Sequence, residues 1–173
     1  SLMSLQKQSD PERRVRIRVP ATTANLGPGF DTLGMALCLC NQVEMWEKPD
    51  GLEITVTGEG AGAVAVDESN SVYQAACQVY RRLGKKPPGL GIKLDNSIPV
   101  ARGLGSSAAA LVGGLLAANV LTGSRLSQTE LLELAVKLEG HPDNVAPALL
   151  GGLVVSVQTA EGLYCRRIIP PAG

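Results

Sequence analysis

Apolar and polar residues alternate through "VRIRV" (15–19), the period-two spacing of a half-buried strand. The next fifteen residues, "PATTANLGPGFDTLG" (20–34), hold three glycines and two prolines and few core formers. That composition predicts a long structured loop, and such loops often carry function. "MALCLCNQVEMWE" and "LEITVT" return to strand-like runs on either side of "KPDG". Pro-Asp-Gly is strong turn chemistry, so an antiparallel pair is predicted here.

From Asn70 the period changes. "SVYQAACQVYRRLG" puts Val72, Ala75, Ala76, Val79 and Leu83 on one helical face and reaches Gly84, a suitable helix stop. "LGIKLD" reads as a short strand. A second helix follows "GLGSS" and runs to about Leu121; its apolar stretch from Ala108 is broken by Gly113, Gly114 and Asn119. A membrane span needs about 20 apolar residues, so this is predicted as a buried helix. Gln128–Leu138 forms a third helix, with Ser127 as N-cap and Glu130 completing a capping box. "GHPDNVAPALLGG" reads as a loop and short helix, and "LVVSVQ" and "YCRRIIP" as strands. Strands first, helices gathered later and strands again favour an α+β fold over a doubly wound sheet.

Composition narrows the class. Of 173 residues, 45% are apolar and 18% charged, the balance of a globular domain rather than a disordered chain. One Phe, one Trp and three Tyr leave an aliphatic core in which small residues bring backbones together. One domain, 15–173, is expected after a polar tail, 1–14, where Ser1 and Leu2 ahead of Met3 look like an expression remnant. The tail has no apolar stretch of the kind a secretory signal needs. Sixteen basic and sixteen acidic residues, with no basic stripe, argue against nucleic acid as a partner, and no stretch suits a membrane. Cys38, Cys40, Cys77 and Cys165 are scattered in apolar segments without CxxC pairs, which suits free buried thiols in the reducing cytoplasm.

Three stretches carry candidate chemistry. In "PVARGLGSSAAA", Gly103 and Gly105 can take positive φ, Ser106 can cap the helix, and Ser107 places a hydroxyl where a phosphate-bound metal would lie. The stretch lacks the lysine of a Walker loop and the third glycine of a dinucleotide fingerprint, and the same letters also open an ordinary helix. In "EGHPDN", Glu139 can ligate a hard cation such as Mg²⁺ with Ser107, or stand as a solvated helix-end carboxylate. Asp143 there can serve chemistry or cap the following helix, and the sole histidine, His141, suits a structural hydrogen bond. Asn25 and Asp31, on the Gly/Pro-rich loop, can hold the amino and hydroxyl groups of a small polar substrate, or simply close Asx turns.

In that order, "PATTANLGPGFDTLG", "PVARGLGSSAAA" and "EGHPDNVAPALLGG" resemble the N-terminal portion of the GHMP kinases, from Val15 to Gly152. "GLGSSAA" is shared across the superfamily, whereas "ANLGPGFDTLG" and "HPDNVAP" are close to the form found in its homoserine-kinase branch. The resemblance implies the α+β fold of ribosomal protein S5 domain 2, a mixed sheet backed by helices, with a left-handed βαβ crossover. It implies ATP- and Mg²⁺-dependent phosphorylation of the side-chain hydroxyl of L-homoserine to O-phospho-L-homoserine, on the route to threonine. Other readings are a sibling kinase of threonine or mevalonate type, or a non-catalytic nucleotide-binding fragment.

By resemblance, Pro99, Arg102, Gly103, Leu104, Gly105, Ser106, Ser107 and Ala108 form the ATP-phosphate loop. Ser107 and Glu139 hold the metal. Asn25, Asp31 and Asp143 bind substrate, Asp143 and Asn144 serve catalysis, and Leu94 to Val100 line the adenine site. No lysine stands in "PATTANLG", so Asp143 is expected to bind substrate ammonium or hydroxyl rather than to act as a dedicated base. Related kinases are commonly homodimers. They also carry a second α+β half, so this chain is read as truncated and without that domain.

Overall fold

A computed structural model describes residues 13–24, 26 and 33–168. Six strands and four helices follow in the order β1 (Arg14–Ala24), β2 (Leu33–Lys48), β3 (Leu52–Gly58), α1 (Ser71–Arg82), β4 (Gly89–Asn96), α2 (Ser106–Leu121), α3 (Gln128–Glu139), α4 (Val145–Leu150), β5 (Leu153–Thr159) and β6 (Gly162–Ile168). The strands make one mixed sheet in the order β3-β4-β2-β5-β6, with β1 paired to β2. The α+β class is therefore the observed one.

Alternation in β1 separates Val15 and Val19, buried against the helices, from Arg14, Arg16 and Arg18 on the open face. The strand runs further than its composition suggests. "PATTA" was expected in the loop, but Pro20 to Ala24 continue β1 beside β2, with a register irregularity between Pro20 and Thr22. Two β-branched threonines suit the pleat, and Pro20 is tolerated because β1 pairs on one side only. Leu33 and Gly34 likewise belong to β2, where a Cβ on Gly34 would overlap the backbone carbonyl of Asp143.

The "KPDG" turn does not close a hairpin. β4 enters between β2 and β3, antiparallel to the first and parallel to the second, so the predicted β2–β3 pair is two partners of a shared neighbour. α1 provides the crossover from β3 to β4. Asn70 caps it through Oδ1, which accepts from the backbone N–H of Val72 and Tyr73, and Gly84 at φ 71° ends it.

Helix α2 is buried along most of its length, as its apolar sequence requires. Glycine inside a helix costs about 1 kcal/mol relative to alanine, and here adjacent glycines admit two close neighbours. A Cβ on Gly113 would press on Val43 and Val19 of the sheet, and one on Gly114 would strike the Val72 carbonyl of α1. The capping box of α3 forms as predicted: Ser127 Oγ accepts from the Glu130 N–H and the Glu130 carboxylate from the Ser127 N–H. No helix among the described residues is long and apolar enough to cross a membrane.

Candidate functional site

The turn into α2 is built on alternating left-handed backbone: Ala101 at φ 57°, Gly103 at 70° and Gly105 at 70°. Ser106 does not cap the helix as its residue type suggested. Gly105 is the N-cap, and Ser106 is the first helical residue. The reason lies in Thr22, which is fully buried beneath the turn. Its N–H donates to the Leu104 carbonyl at 3.0 Å, and a Cβ on Gly105 would overlap its hydroxyl, so only glycine fits there. The first helical N–H with a carbonyl partner at this end belongs to Ala109, which reaches Gly105 O at 2.9 Å. The N–H groups of Ser106, Ser107 and Ala108 precede it at the positive end of the helix dipole, an arrangement suited to an anion. The Ala108 side chain is buried, which leaves that residue its backbone to offer. Arg102 is exposed at the rim and Pro99 half-buried at its start.

α3 ends beside this turn. Ser107 Oγ donates to Glu139 Oε2 at 3.1 Å, joining two residues predicted as metal ligands from opposite ends of two helices. Gly140, at φ 98°, stops α3 and turns the chain into "HPDN". Asp143 is buried at 4% exposure. Its Oδ1 meets His141 Nδ1 and accepts from the Asn144 N–H at 3.1 Å, so the lone histidine is paired with a candidate site carboxylate. Asn144, the N-cap of α4, does not cap with its side chain. Its Oδ1 accepts from Thr22 Oγ1 at 2.9 Å. Thr22 thereby links β1, the glycine turn and the α3–α4 loop. It went unnoticed in the sequence because the loop-like composition around it masked the Thr-Thr strand signal. Asn25 and Asp31 lie outside the described residues.

Against the open side of α2 lies a cavity of about 280 Å³, walled by Val43, Val64, Leu94, Ile98, Val100 and Ala109. Asn41, Asn70, Asn96, Ser106 and Ser107 give it polar points, so it runs from an apolar recess to the turn. A flat, mostly apolar group in the recess would carry a chain of anionic groups toward the free N–H groups. Among the described residues no group of three or more His, Cys, Asp or Glu side chains gathers to hold a metal. Ser107 and Glu139 still suit Mg²⁺, which takes one or two protein oxygens and completes its shell with water and phosphate.

Known proteins resemble this chain in sequence and in fold. Homoserine kinase of Moorella thermoacetica is 54% identical over 157 residues, covering 91% of this chain and 53% of the relative. That of Symbiobacterium thermophilum is 60% identical over 163 residues, covering 91% and 50%. The chain thus spans about half the length of the curated relatives it matches. The crystal structure of homoserine kinase from Cytophaga hutchinsonii superposes with a TM-score of 0.79 at 33% identity, covering 92% of this chain and 53% of that one. The mevalonate kinase of Methanococcus jannaschii, at 17% identity and a TM-score of 0.69, shares the fold. Residues 70–152, from the cap of α1 through the glycine turn to the end of α4, match the GHMP kinases N terminal domain.

Proposed function

We propose that this chain forms the nucleotide-binding portion of a cytoplasmic, ATP-dependent homoserine kinase that makes O-phospho-L-homoserine for threonine synthesis. The observation that carries the reading is the Ser107–Glu139 contact at the head of the glycine turn, beside a cavity of base-like size. The similarity to homoserine kinases at 54% and 60% identity supports homoserine as the acceptor.

In this reading the adenine occupies the recess between Leu94 and Val100, and the phosphates lie along the N–H groups of Ser106, Ser107 and Ala108. Ser107 and Glu139 would hold Mg²⁺, which would neutralise phosphate charge. The homoserine hydroxyl oxygen attacks the γ-phosphorus, the bond to the β-phosphate oxygen breaks, and the hydroxyl proton leaves to water. Because the transition state is loose, alignment and charge stabilisation carry most of the rate. Thr22 fixes the Asn144 amide through Oδ1 and leaves Nδ2 to face a phosphoryl oxygen. Asn25, Asp31 and Asp143 serve the amino acid.

The test is transfer of the γ-phosphate from ATP to homoserine, threonine and mevalonate, using the full product of the reading frame that encodes this chain. Phosphorylation of homoserine above the other two is expected. Preference for another alcohol overturns the acceptor, and nucleotide binding without any transfer overturns the enzyme.

A further inference from the structure

Most polar side chains around the cavity are already committed. Asn70 uses Oδ1 on the N–H groups of Val72 and Tyr73, and its Nδ2 on the Ala65 carbonyl. Asn96 Nδ2 donates to Glu59 O at 3.4 Å, and Ser69 Oγ to Asp67. Asn41 differs. It stands on β2 at 7% exposure, and its Oδ1 accepts two backbone N–H groups, from Ser97 at 2.8 Å and Ile98 at 2.9 Å. Two N–H donors on one side-chain atom fix which end of the amide is oxygen. The NH₂ is therefore the other end, on a side chain that lines the cavity, and it has no acceptor among the described residues. No side-chain nitrogen or oxygen sealed from solvent among the described residues lacks a partner, so this NH₂ is open to the cavity, where solvent or a ligand can accept from it.

We infer that Asn41 determines base specificity: its Nδ2 donates to a ring nitrogen of the purine in this cavity. The inference rests on the nucleotide reading above and adds to it the residue that selects the base. The same amide braces the Ser97–Ile98 turn that walls the recess, so the base is read by a donor whose position the wall itself holds. A ring with C–H at the facing position leaves the amide unpaired, and a site built around a hydrogen bond discriminates strongly against such analogues.

The experiment is calorimetric titration of the full product of the reading frame with ATP and its 1-deaza, 3-deaza and 7-deaza analogues. One analogue is expected to bind about tenfold more weakly than ATP, and the other two within about threefold of it. Asn41→Asp keeps an acceptor for Ser97 and Ile98 and removes the donor, so it should bind ATP and that one analogue alike. A loss of ATP affinity shared equally by all analogues would mark a merely structural role and overturn the proposal. Equal binding of all four nucleotides by the unsubstituted protein overturns it without any variant. No binding of adenine nucleotides at all overturns the nucleotide reading, and this inference with it.

Discussion

Thr22 Oγ1 donates to Asn144 Oδ1 at 2.9 Å across 122 residues of chain, and the same side chain blocks the space where a Cβ on Gly105 would stand. One buried hydroxyl therefore holds the candidate catalytic amide in register with the glycine turn. Thr22→Val keeps the shape and removes the donor, which leaves Asn144 Oδ1 without it. A stability loss of about 1–2 kcal/mol in denaturant titration is expected. Turnover should fall about tenfold with little change in ATP affinity, because alignment rather than binding is lost. Thr22→Ser should restore most of both. Turnover that survives in the valine variant would separate Thr22 from the reaction.

The glycines of the turn are not equivalent. At Gly103 a Cβ meets nothing within 4 Å, so alanine pays only for the left-handed backbone, about 1 kcal/mol. At Gly105 the same backbone cost is joined by overlap with Thr22, and a loss of about 3 kcal/mol is expected. Chemical denaturation of both variants should rank them in that order, and nucleotide affinity should fall much further for Gly105→Ala. Equal losses would show that Thr22 yields readily.

Much of this is legible along the chain, for reasons that differ by element. α1 and α3 announce themselves through caps and apolar faces, since Asn70, Gly84, Ser127 and Glu130 act within a turn of their own positions. The meeting of Ser107 and Glu139 is suggested by their shared oxygen chemistry and strengthened by resemblance, although nothing local says that the start of α2 and the end of α3 adjoin. Strand partners are less visible still. A turn such as "KPDG" reports that the chain reverses, not that another strand will enter between the two arms as β4 does. Asn41 and Thr22 escape notice because their roles depend on what stands across the sheet from them, and single polar residues in strands carry no periodic mark.

Ser107 and Glu139 give a metal test that does not need turnover. If they hold Mg²⁺ with the phosphates, Ser107→Ala and Glu139→Gln should leave metal-free nucleotide binding within about twofold. Each should reduce the gain in affinity that Mg²⁺ provides by about tenfold. Titrations with and without EDTA measure both. Unchanged Mg²⁺ dependence in the two variants would place the ion elsewhere.

The open face of the sheet carries a pH-dependent contribution. Glu44 Oε1 accepts from Arg14 Nη1 at 3.0 Å and Oε2 from Arg16 Nε at 3.1 Å, while Arg14 also lies over the Trp46 ring at 4.0 Å. The hydrogen bond from Arg14, aided by the charge of Arg16, holds the Glu44 carboxyl below its ordinary value of 4.5. A depressed pKa means the unfolded chain takes up the proton first on acidification. The stabilisation is thus complete well above pH 4.5 and drains away as the pH falls through the lowered folded value. Glu44→Gln should be less stable by about 0.5 kcal/mol near neutrality, the scale of an exposed ion pair, and the gap should close in acid. Thermal melts of both proteins from pH 7 to 3 would show it, and a gap independent of pH would dismiss the pair.

Asp143 separates binding from proton abstraction. Its carboxylate is buried and its Oδ1 is taken by His141 and by the N–H of Asn144, so this oxygen is occupied before any substrate arrives. A dedicated base needs a free oxygen within reach of the attacking hydroxyl. A carboxylate that orients neighbours and attracts an ammonium needs only its charge and position. Asp143→Asn keeps the shape and removes the charge. Its loss should appear chiefly as a KM for homoserine raised about tenfold or more, with kcat changed by less than about fivefold. A kcat lowered by several orders of magnitude with KM intact would instead make Asp143 the base. His141→Ala then distinguishes the two oxygens: it removes the contact at Oδ1, and a substrate held through Oδ2 should lose affinity only modestly.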